Sequence, residues 1–357
     1  EATVGLVAVE SLAILGLGGD DALSAKAVTF SGSIVLDGGE GVDSVTLAYP
    51  NAASGVNVRG GGDAADALAV TLSDGDEVVV LTDTHLEVSG ANNVVYNDFG
   101  SVQLNTMGGN DEVSVKSTHA GTTELNTNAG NDTVTLETIS GGTTVNTAAG
   151  SDTVNVRTIA AATTVNTGAD ADTVNVGSLS PATDGNVNGI AALLTINGDG
   201  AADSLNVDDT ADTDGNTGNL TATAITGLGM TGKIVYGTVE ALTIGLGSGD
   251  DTFTVKSTHA GTTELNTNAG NDTVTLETVS GNTTVNTAAG SDTVNIRTID
   301  AATTVNTGAD ADTVNVGSLA PATGGDVNGI GALLTINGDR EADSLNVDDT
   351  GDTVGNT

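Results

Sequence analysis

The sequence predicts an all-β protein, a right-handed parallel β-helix (β-solenoid) with coils of about 20–23 residues nested in a 140-residue repeat. Three observations support this: a short motif that returns about every twenty residues, alternation of apolar and polar residues within it, and a longer repeat that copies whole stretches almost unchanged. Period-two strands that recur at such an interval are typical of solenoids, in which each coil stacks on the next. Right-handed coiling is the default for parallel crossover connections.

The short motif appears as LNTMGGNDEVSV and returns as LNTNAGNDTVTL, VNTAAGSDTVNV and VNTGADADTVNV. Each copy has an apolar residue, a turn of small residues, an aspartate and then two apolar residues at alternate positions. In the copy that contains Asp152, we expect Val154 and Val156 to point into the core and Thr153 and Asn155 to point outward. Two or three such strands per coil, each paired with the next coil, form a parallel β-helix.

The long repeat is visible in VKSTHAGTTELNTNAGNDTVTLET, which occurs from Val115 and again from Val255, at an offset of 140 (255 − 115). It divides the chain into a diverged partial repeat over residues 1–77 and full repeats over 78–217 and 218–357. We interpret these as one continuous solenoid and as an excerpt of a longer chain.

The regular coil is interrupted in two ways. The interval from Asp172 to Asp203 is longer than one coil and contains SPATDGNVNGIAALL around Pro181; a closely similar insertion returns around Pro321. We expect both insertions to be projecting loops. The interval from Asp203 to Asp251 is longer still and has room for two coils.

Composition narrows the possible functions. The 357 residues include 50 Gly, no Cys and no Trp, so the core is expected to be a thin stack of small aliphatic side chains without disulfides. The net charge of −39, from 47 acidic and 8 basic residues, argues against binding to nucleic acid, since phosphate contacts need Lys and Arg. No apolar run is long enough to span a membrane, so we expect no membrane insertion.

The aspartate of each short motif is the candidate metal ligand. Stacked coils would bring these carboxylates into a column, and a tight turn that binds a cation favours the short Asp side chain. Two alternatives remain: a salt-adapted acidic surface, and aspartates that only cap their turns by accepting backbone hydrogen bonds. The candidates are Asp21, Asp43, Asp66, Asp111, Asp132, Asp152, Asp172, Asp203, Asp251, Asp272, Asp292, Asp312 and Asp343.

One segment matches a known calcium motif. GGEGVDSVT, residues 38–46, fits the nonapeptide GGxGxDxUx, in which U is a large apolar residue. The chain here resembles the calcium-binding repeats of RTX (hemolysin-type) proteins. The resemblance implies that Asp43 and the carbonyls of Gly38, Gly39 and Gly41 bind Ca²⁺. The motif recurs once per coil rather than every nine residues, so we expect metal along one edge of the solenoid only.

Three other patterns have competing interpretations. The run from Asp208 to Gly215 is similar to an EF-hand loop but lacks the terminal Glu and flanking helices, which favours an acidic loop. An outward Thr column suggests ice binding as an alternative, although Thr is also a good exposed strand former. One Asn per coil predicts a structural ladder of stacked amides. These are Thr133, Thr153 and Thr173, and Asn105, Asn126, Asn146, Asn166 and Asn197.

The sequence gives little support for catalysis. Arg157 and Arg297 are copies at the long period, as are His119 and His259. A polar group duplicated at every repeat is typical of architecture rather than of an active site. The chain has no Cys nucleophile and no catalytic motif such as GxSxG or HExxH. We therefore predict that the protein is not an enzyme.

In style, nearly the whole chain resembles the giant repetitive surface and matrix proteins of bacteria. The resemblance implies a secreted structural protein at the cell surface or outside the cell, a calcium-stiffened fibre, stalk or matrix filament that self-associates. The alternative is an adhesin whose loops near Pro181 and Pro321 bind a glycan or a cell-surface ligand. An ice-binding protein and a polysaccharide-active enzyme are less favoured.

Overall fold

The computed structural model describes residues 10–25, 32–48, 55–91, 93–339 and 341–353. Every regular element in these ranges is a β-strand, which confirms the all-β prediction. Within the same ranges there is accordingly no helix that could cross a membrane. The chain forms two compact units: unit 1 comprises Glu1–Val154 and Ile159–Asp172, and unit 2 comprises Asn155–Thr158 and Thr173–Thr357.

Unit 1 contains short strands of four or five residues, with β15 divided between the units. The strands are β1 (Ser11–Leu15), β2 (Ala22–Ala25), β3 (Ser33–Asp37), β4 (Ser44–Ala48), β5 (Gly55–Arg59), β6 (Ala67–Thr71), β7 (Val78–Leu81), β8 (His85–Val88), β9 (Val94–Asn97), β10 (Ser101–Asn105), β11 (Glu112–Val115), β12 (Thr122–Asn126), β13 (Thr133–Leu136), β14 (Gly142–Asn146), β15 (Thr153–Val156) and β16 (Thr163–Asn166).

Two sheets make up unit 1. Sheet 1 has the order β1-β3-β5-β9-β8-β7-β11-β13, and sheet 2 has the order β2-β4-β6-β10-β12-β14-β16. Outside β7, β8 and β9, the chain alternates between the sheets and strands pair in parallel with the strand one coil away, as in β12 and β14. This is the arrangement of a parallel β-solenoid, as predicted.

Unit 2 continues with strands of the same length. They are β17 (Thr173–Val176), β18 (Leu193–Asn197), β19 (Ser204–Asp208), β20 (Thr217–Thr221), β21 (Ala224–Gly227), β22 (Lys233–Gly237), β23 (Ala241–Gly245), β24 (Thr252–Val255), β25 (Thr262–Asn266), β26 (Thr273–Leu276), β27 (Thr283–Asn286), β28 (Thr293–Ile296), β29 (Thr303–Asn306), β30 (Thr313–Val316), β31 (Leu334–Asn337) and β32 (Ser344–Val347).

Unit 2 has the same architecture. Its sheet 3 has the order β17-β19-β23-β25-β27-β29-β31, and its sheet 4 has the order β18-β22-β21-β20-β24-β26-β28-β30-β32. Alternate residues of each strand enter the core, so Leu265 and Val285 stack in register and are 0% exposed. Most core layers between the two sheets are aliphatic, and Tyr236 and Phe253 are the buried aromatic side chains among the described residues of unit 2.

An antiparallel segment interrupts the parallel coil once in each unit. In unit 1, β7, β8 and β9 pair antiparallel within sheet 1. In unit 2, β20, β21 and β22 do the same within sheet 4, so the interval from Asp203 to Asp251 is not simply the two plain coils that its length suggested.

This antiparallel segment changes the sheet that a repeated strand occupies. Strands β17 and β19 belong to sheet 3, whereas their copies one long repeat later, β30 and β32, belong to sheet 4. Two consecutive connections stay within one sheet, so one long repeat contains an odd number of crossings between the sheets. Equivalent surface features of unit 2 therefore lie on the outer faces of different sheets.

Candidate functional site

The repeated aspartates form hydrogen-bonded ladders. Oδ1 of Asp132 accepts the backbone N–H of Asp111 at 2.8 Å, and Oδ1 of Asp152 accepts that of Asp132 at 2.8 Å. The same bond joins Asp152 to Oδ1 of Asp172 at 2.7 Å. Each carboxylate thus ties its turn to the preceding coil, which is the turn-capping role weighed as an alternative to metal binding.

The aspartates belong to three ladders rather than to one column. The first ladder lies at the start of strands in sheet 2, and the third at the start of strands in sheet 4. The second lies at the start of β11 and β13 in sheet 1 and of β15 and β17. The expectation of a single edge is therefore wrong, because the antiparallel segments move the motif to the other sheet. The ladders are Asp21, Asp43 and Asp66; Asp111, Asp132, Asp152 and Asp172; and Asp251, Asp272, Asp292, Asp312 and Asp343.

Asp203 has a different partner, which the sequence did not indicate. Its N–H donates to the carboxylate of Glu240 at 2.8 Å. Glu240 lies 37 residues further on, outside the twenty-residue period, so no regular spacing marked it. The first aspartate of the third ladder, Asp251, also has a partner that was not predicted. Its Oδ1 accepts the N–H of Asn216 at 2.7 Å.

The second oxygen of most ladder carboxylates is buried and has no hydrogen-bond partner among the described residues. Asp132, for example, is 1% exposed. A buried carboxylate oxygen without a donor is costly, because it loses hydration without replacement. Such an oxygen is stabilised by a cation, by a proton or by a hydroxyl that turns toward it, as Thr147 can toward Asp152. The oxygens are Oδ2 of Asp21, Asp43, Asp111, Asp132, Asp152, Asp251, Asp272, Asp292 and Asp312.

Burial raises the pKa of several aspartates in the second and third ladders. It raises the pKa of Asp152 to about 6, although the N–H of Asp132 and the hydroxyl of Thr147 lower the pKa; the neighbouring carboxylates raise it further. Burial likewise raises the pKa of Asp251 and that of Asp292 to about 6. These carboxylates lose charge at a much higher pH than exposed aspartates do.

The residue five positions before each ladder aspartate is a second component of the site. It is Thr in most coils, and the Thr147 hydroxyl lies where it can donate either to the carbonyl of Thr167, at 2.7 Å, or to Asp152. It is Leu246 before Asp251 and Gly in the other coils, and a Cβ on Gly198 would lie 2.4 Å from Oδ2 of Asp203. Sequence reasoning missed this position, although the Thr of the repeated LNT and VNT triplets marks it.

The glycines of the RTX-like nonapeptide pack against neighbouring coils. A Cβ on Gly16 would lie 2.0 Å from the carbonyl oxygen of Gly38, and a Cβ on Gly61 would lie 1.7 Å from that of Gly39. Gly41 approaches the carbonyl of Gly19 in the same way, at 2.4 Å from its Cβ position. Two of the three carbonyls implied as calcium ligands therefore lie against backbone one coil away.

The negative charge of the ladders would attract a cation, but the ladders offer few side-chain ligands for one. Within the described part of the chain, no three His, Cys, Asp or Glu side chains converge on one point that could hold a metal. Each buried aspartate offers one oxygen, because Oδ1 already caps a turn. A calcium ion needs six to eight oxygens, so hydroxyl, carbonyl or water oxygens would have to complete its shell.

The acidic run after β19 anchors the loop around Pro181. Oδ2 of Asp208 accepts the N–H of Gly185 at 2.7 Å, and Oδ1 of Asp209 accepts that of Val187 at 3.0 Å. Asp209 is 0% exposed, and burial raises its pKa to about 7. The run is thus part of the support for the loop, in agreement with the acidic-loop interpretation.

The stacked asparagines form the predicted structural ladder. The side-chain amide of Asn126 donates to Oδ1 of Asn105 at 2.9 Å, and Asn146 and Asn166 continue the series at 2.7 Å each. This Asn ladder fixes the register between coils on the outer face of sheet 2.

We predict that the chain without divalent cations becomes more stable when the pH falls from 7.5 to 5. Burial raises the pKa of Asp152, Asp251 and Asp292 from 3.8 to about 6, so in this range these groups bind more protons in the folded state. Burial lowers the pKa of His119 and His259, which opposes this effect, but these are two groups against a larger set of aspartates. Stability is highest below pH 4 for these groups and falls as the pH rises through about 6. Thermal unfolding in EDTA at both pH values measures this. A lower melting temperature at pH 5 would contradict the prediction.

Compared with protein-family models and with curated proteins, the chain matches none.

Proposed function

We propose that this chain is part of a secreted structural protein that forms an extracellular fibre, stalk or matrix filament. The observation that carries the proposal is the ladder itself: the same carboxylate-to-amide bond joins coil to coil at intervals of 20 or 21 residues. Each added coil repeats the same interface, so stability grows with length. The near-identical long repeats suit a protein whose function depends on length and on self-association into longer rods.

We further propose that calcium stiffens this fibre. The support is the series of buried carboxylate oxygens without hydrogen-bond partners in the described part of the chain, together with a net charge of −39 that calls for counter-ions. Oδ2 of the ladder aspartates would hold the ion, and the Thr hydroxyls beside them would contribute neutral oxygens. Bound calcium would neutralise neighbouring carboxylates that otherwise repel one another. The RTX-like segment around Asp43 agrees with this choice of ion.

Removal of calcium is expected to lower the melting temperature at pH 7.5. Calcium at about ten times the dissociation constant of a site stabilises the folded state by about 1.4 kcal/mol, and the ladders provide several sites. The test is thermal unfolding in EDTA and in about 5 mM calcium, which exceeds the dissociation constants of extracellular calcium modules. Magnesium added to the chelated sample is the control for ionic strength. Equal melting temperatures in calcium and EDTA would refute the calcium proposal while leaving the fibre proposal intact.

A second candidate function is adhesion through the loops around Pro181 and Pro321. The observation in its favour is that both loops are held in place by the same bonds: Arg157 Nε donates to the carbonyl of Ser180 at 2.9 Å, and Arg297 Nε to that of Ala320 at 3.0 Å. A loop that is held rigidly before binding loses little entropy when a ligand binds.

A further inference from the structure

The Pro181 loop encloses a preformed cavity on the outer face of sheet 3. The cavity has a volume of about 360 Å³, at the lower end of the range for small-molecule sites. Its wall is formed by loop residues 180–183, and its floor includes the outward side chains of Asn175, Asn206, Thr243 and Asn266. We call it the Pro181 pocket.

The pocket is fixed on several sides. Arg157 and Asp208 hold the loop through the bonds already described, and the Ser178 hydroxyl accepts the N–H of Asn186 at 3.0 Å. On the floor, the side-chain amide of Asn206 donates to Oδ1 of Asn175 at 2.9 Å. The walls and the floor therefore keep their positions without a ligand.

The loop and the first two floor strands of this pocket recur in unit 2, without counterparts of Thr243 and Asn266. The Pro321 loop forms a cavity of about 430 Å³ with Asn315 and Asn346, which are the copies of Asn175 and Asn206. Asp348 accepts the N–H of Gly325 at 2.7 Å, as Asp208 does in the first copy. The recurrence shows that the pocket belongs to the long repeat and is not an accident of one loop.

The lining indicates the chemistry of a ligand. Pro181 and Ala182 provide a small apolar wall, whereas the floor presents amide and hydroxyl groups that both donate and accept hydrogen bonds. Among the residues that the structure describes, no Lys or Arg lines either cavity, and the chain carries a net charge of −39, so an anionic ligand is disfavoured. An acetamido group fits both the apolar wall and the polar floor. Its methyl can pack on the wall, and its N–H and C=O can form hydrogen bonds with the floor.

We propose that the Pro181 pocket and its copy bind neutral N-acetylated amino sugars. The proposal rests on the second candidate function and specifies its ligand. Because β17 and β19 lie in sheet 3 and β30 and β32 in sheet 4, the two pockets open on the outer faces of different sheets. A chain with such pockets binds separate glycans on two sides and can cross-link them.

The test is NMR titration of the whole 357-residue chain with N,N′-diacetylchitobiose, with cellobiose as the matched sugar that lacks acetamido groups. We expect saturable changes in the NMR chemical shifts of Ala182 and Ala322. We expect diacetylchitobiose to bind at least about tenfold more tightly than cellobiose. Thr243→Arg places a long side chain on the pocket floor and should abolish the shifts of Ala182 while leaving those of Ala322. Thr254→Arg, on an outward position of β24 that lines neither pocket, is the control and should change neither.

Ala182→Trp is a second blocking variant, because Ala182 is exposed and its replacement leaves the core untouched. Three results would overturn the proposal: no saturable shifts in the unmodified chain, equal binding of cellobiose, or Ala182 shifts that persist in Thr243→Arg. Electron microscopy of the same samples shows whether fibres persist. Fibres without sugar binding would refute this inference and leave the structural role standing.

Discussion

Gly130→Ala is expected to reduce the stability of unit 1 by about 4 kcal/mol, near the upper end for single substitutions. Gly130 has a φ of +138°, and a Cβ on it would lie 1.7 Å from the carbonyl oxygen of Gly109 in the adjacent coil. Backbone conformations of this kind are nearly restricted to glycine. Because the obstructing atom belongs to the backbone, the coils must separate locally to accommodate the methyl group. The melting temperature by circular dichroism measures the effect.

Gly142→Ala is the matched control in the same unit. The nearest atom to its added Cβ is Cγ2 of Thr122, at 3.9 Å, which is an ordinary contact. The copy of this position one long repeat later is Asn282, so a side chain is accepted there. We expect the control to melt at the same temperature as the unmodified chain or slightly higher. Similar losses in both variants would show that close coil stacking at Gly130 is not what constrains the turn.

Asp152→Ala is expected to be the most damaging substitution in the second ladder. It leaves the buried N–H of Asp132 without an acceptor, which costs about 1–3 kcal/mol, and opens a cavity beside Thr147. Asp152 is 2% exposed, so water cannot easily replace the missing carboxylate. Denaturant unfolding followed by circular dichroism gives the loss. A variant as stable as the unmodified chain would show that the ladder bond does not hold the coils together.

Asp152→Asn separates the role of the hydrogen bond from that of the charge. The amide keeps an oxygen for the N–H of Asp132 but removes a buried negative charge between Asp132 and Asp172. In EDTA at pH 7.5 we expect this variant to be at least as stable as the unmodified chain. In calcium the order should reverse, because the variant has lost a charged ligand. The same order in both buffers would argue against calcium at this position.

The coil itself could be predicted from the sequence because its determinants are local. Val154 and Val156 are 0% exposed, as the alternation indicated, and so is Ile159 in the next segment. Asn155 points away from the core but is only 1% exposed. The amide of Asn175 donates to its Oδ1 at 2.9 Å, and this packing in the Asn ladder is a contact between coils that a single motif does not reveal.

The details of the site depend on contacts between distant residues, and these could not be predicted. The antiparallel segment of β20, β21 and β22 decides which sheet receives the aspartates, yet its residues look like two further coils. Glu240 joins Asp203 only because that segment separates them. The burial of Oδ2 in residues such as Asp132 was also not foreseen, since the motif shows an aspartate but not which of its oxygens caps the turn.

The most direct test of a calcium-stiffened structural solenoid is a cryo-electron microscopy map of the native assembly in calcium, at a resolution that separates the coils. We predict fibres with a coil repeat of about 4.8 Å along the axis. We also predict density beside Oδ2 of Asp132 and Asp152 that disappears after treatment with EDTA. Dispersed particles without a repeating coil, or fibres in which no such density accompanies the buried carboxylates, would contradict this claim.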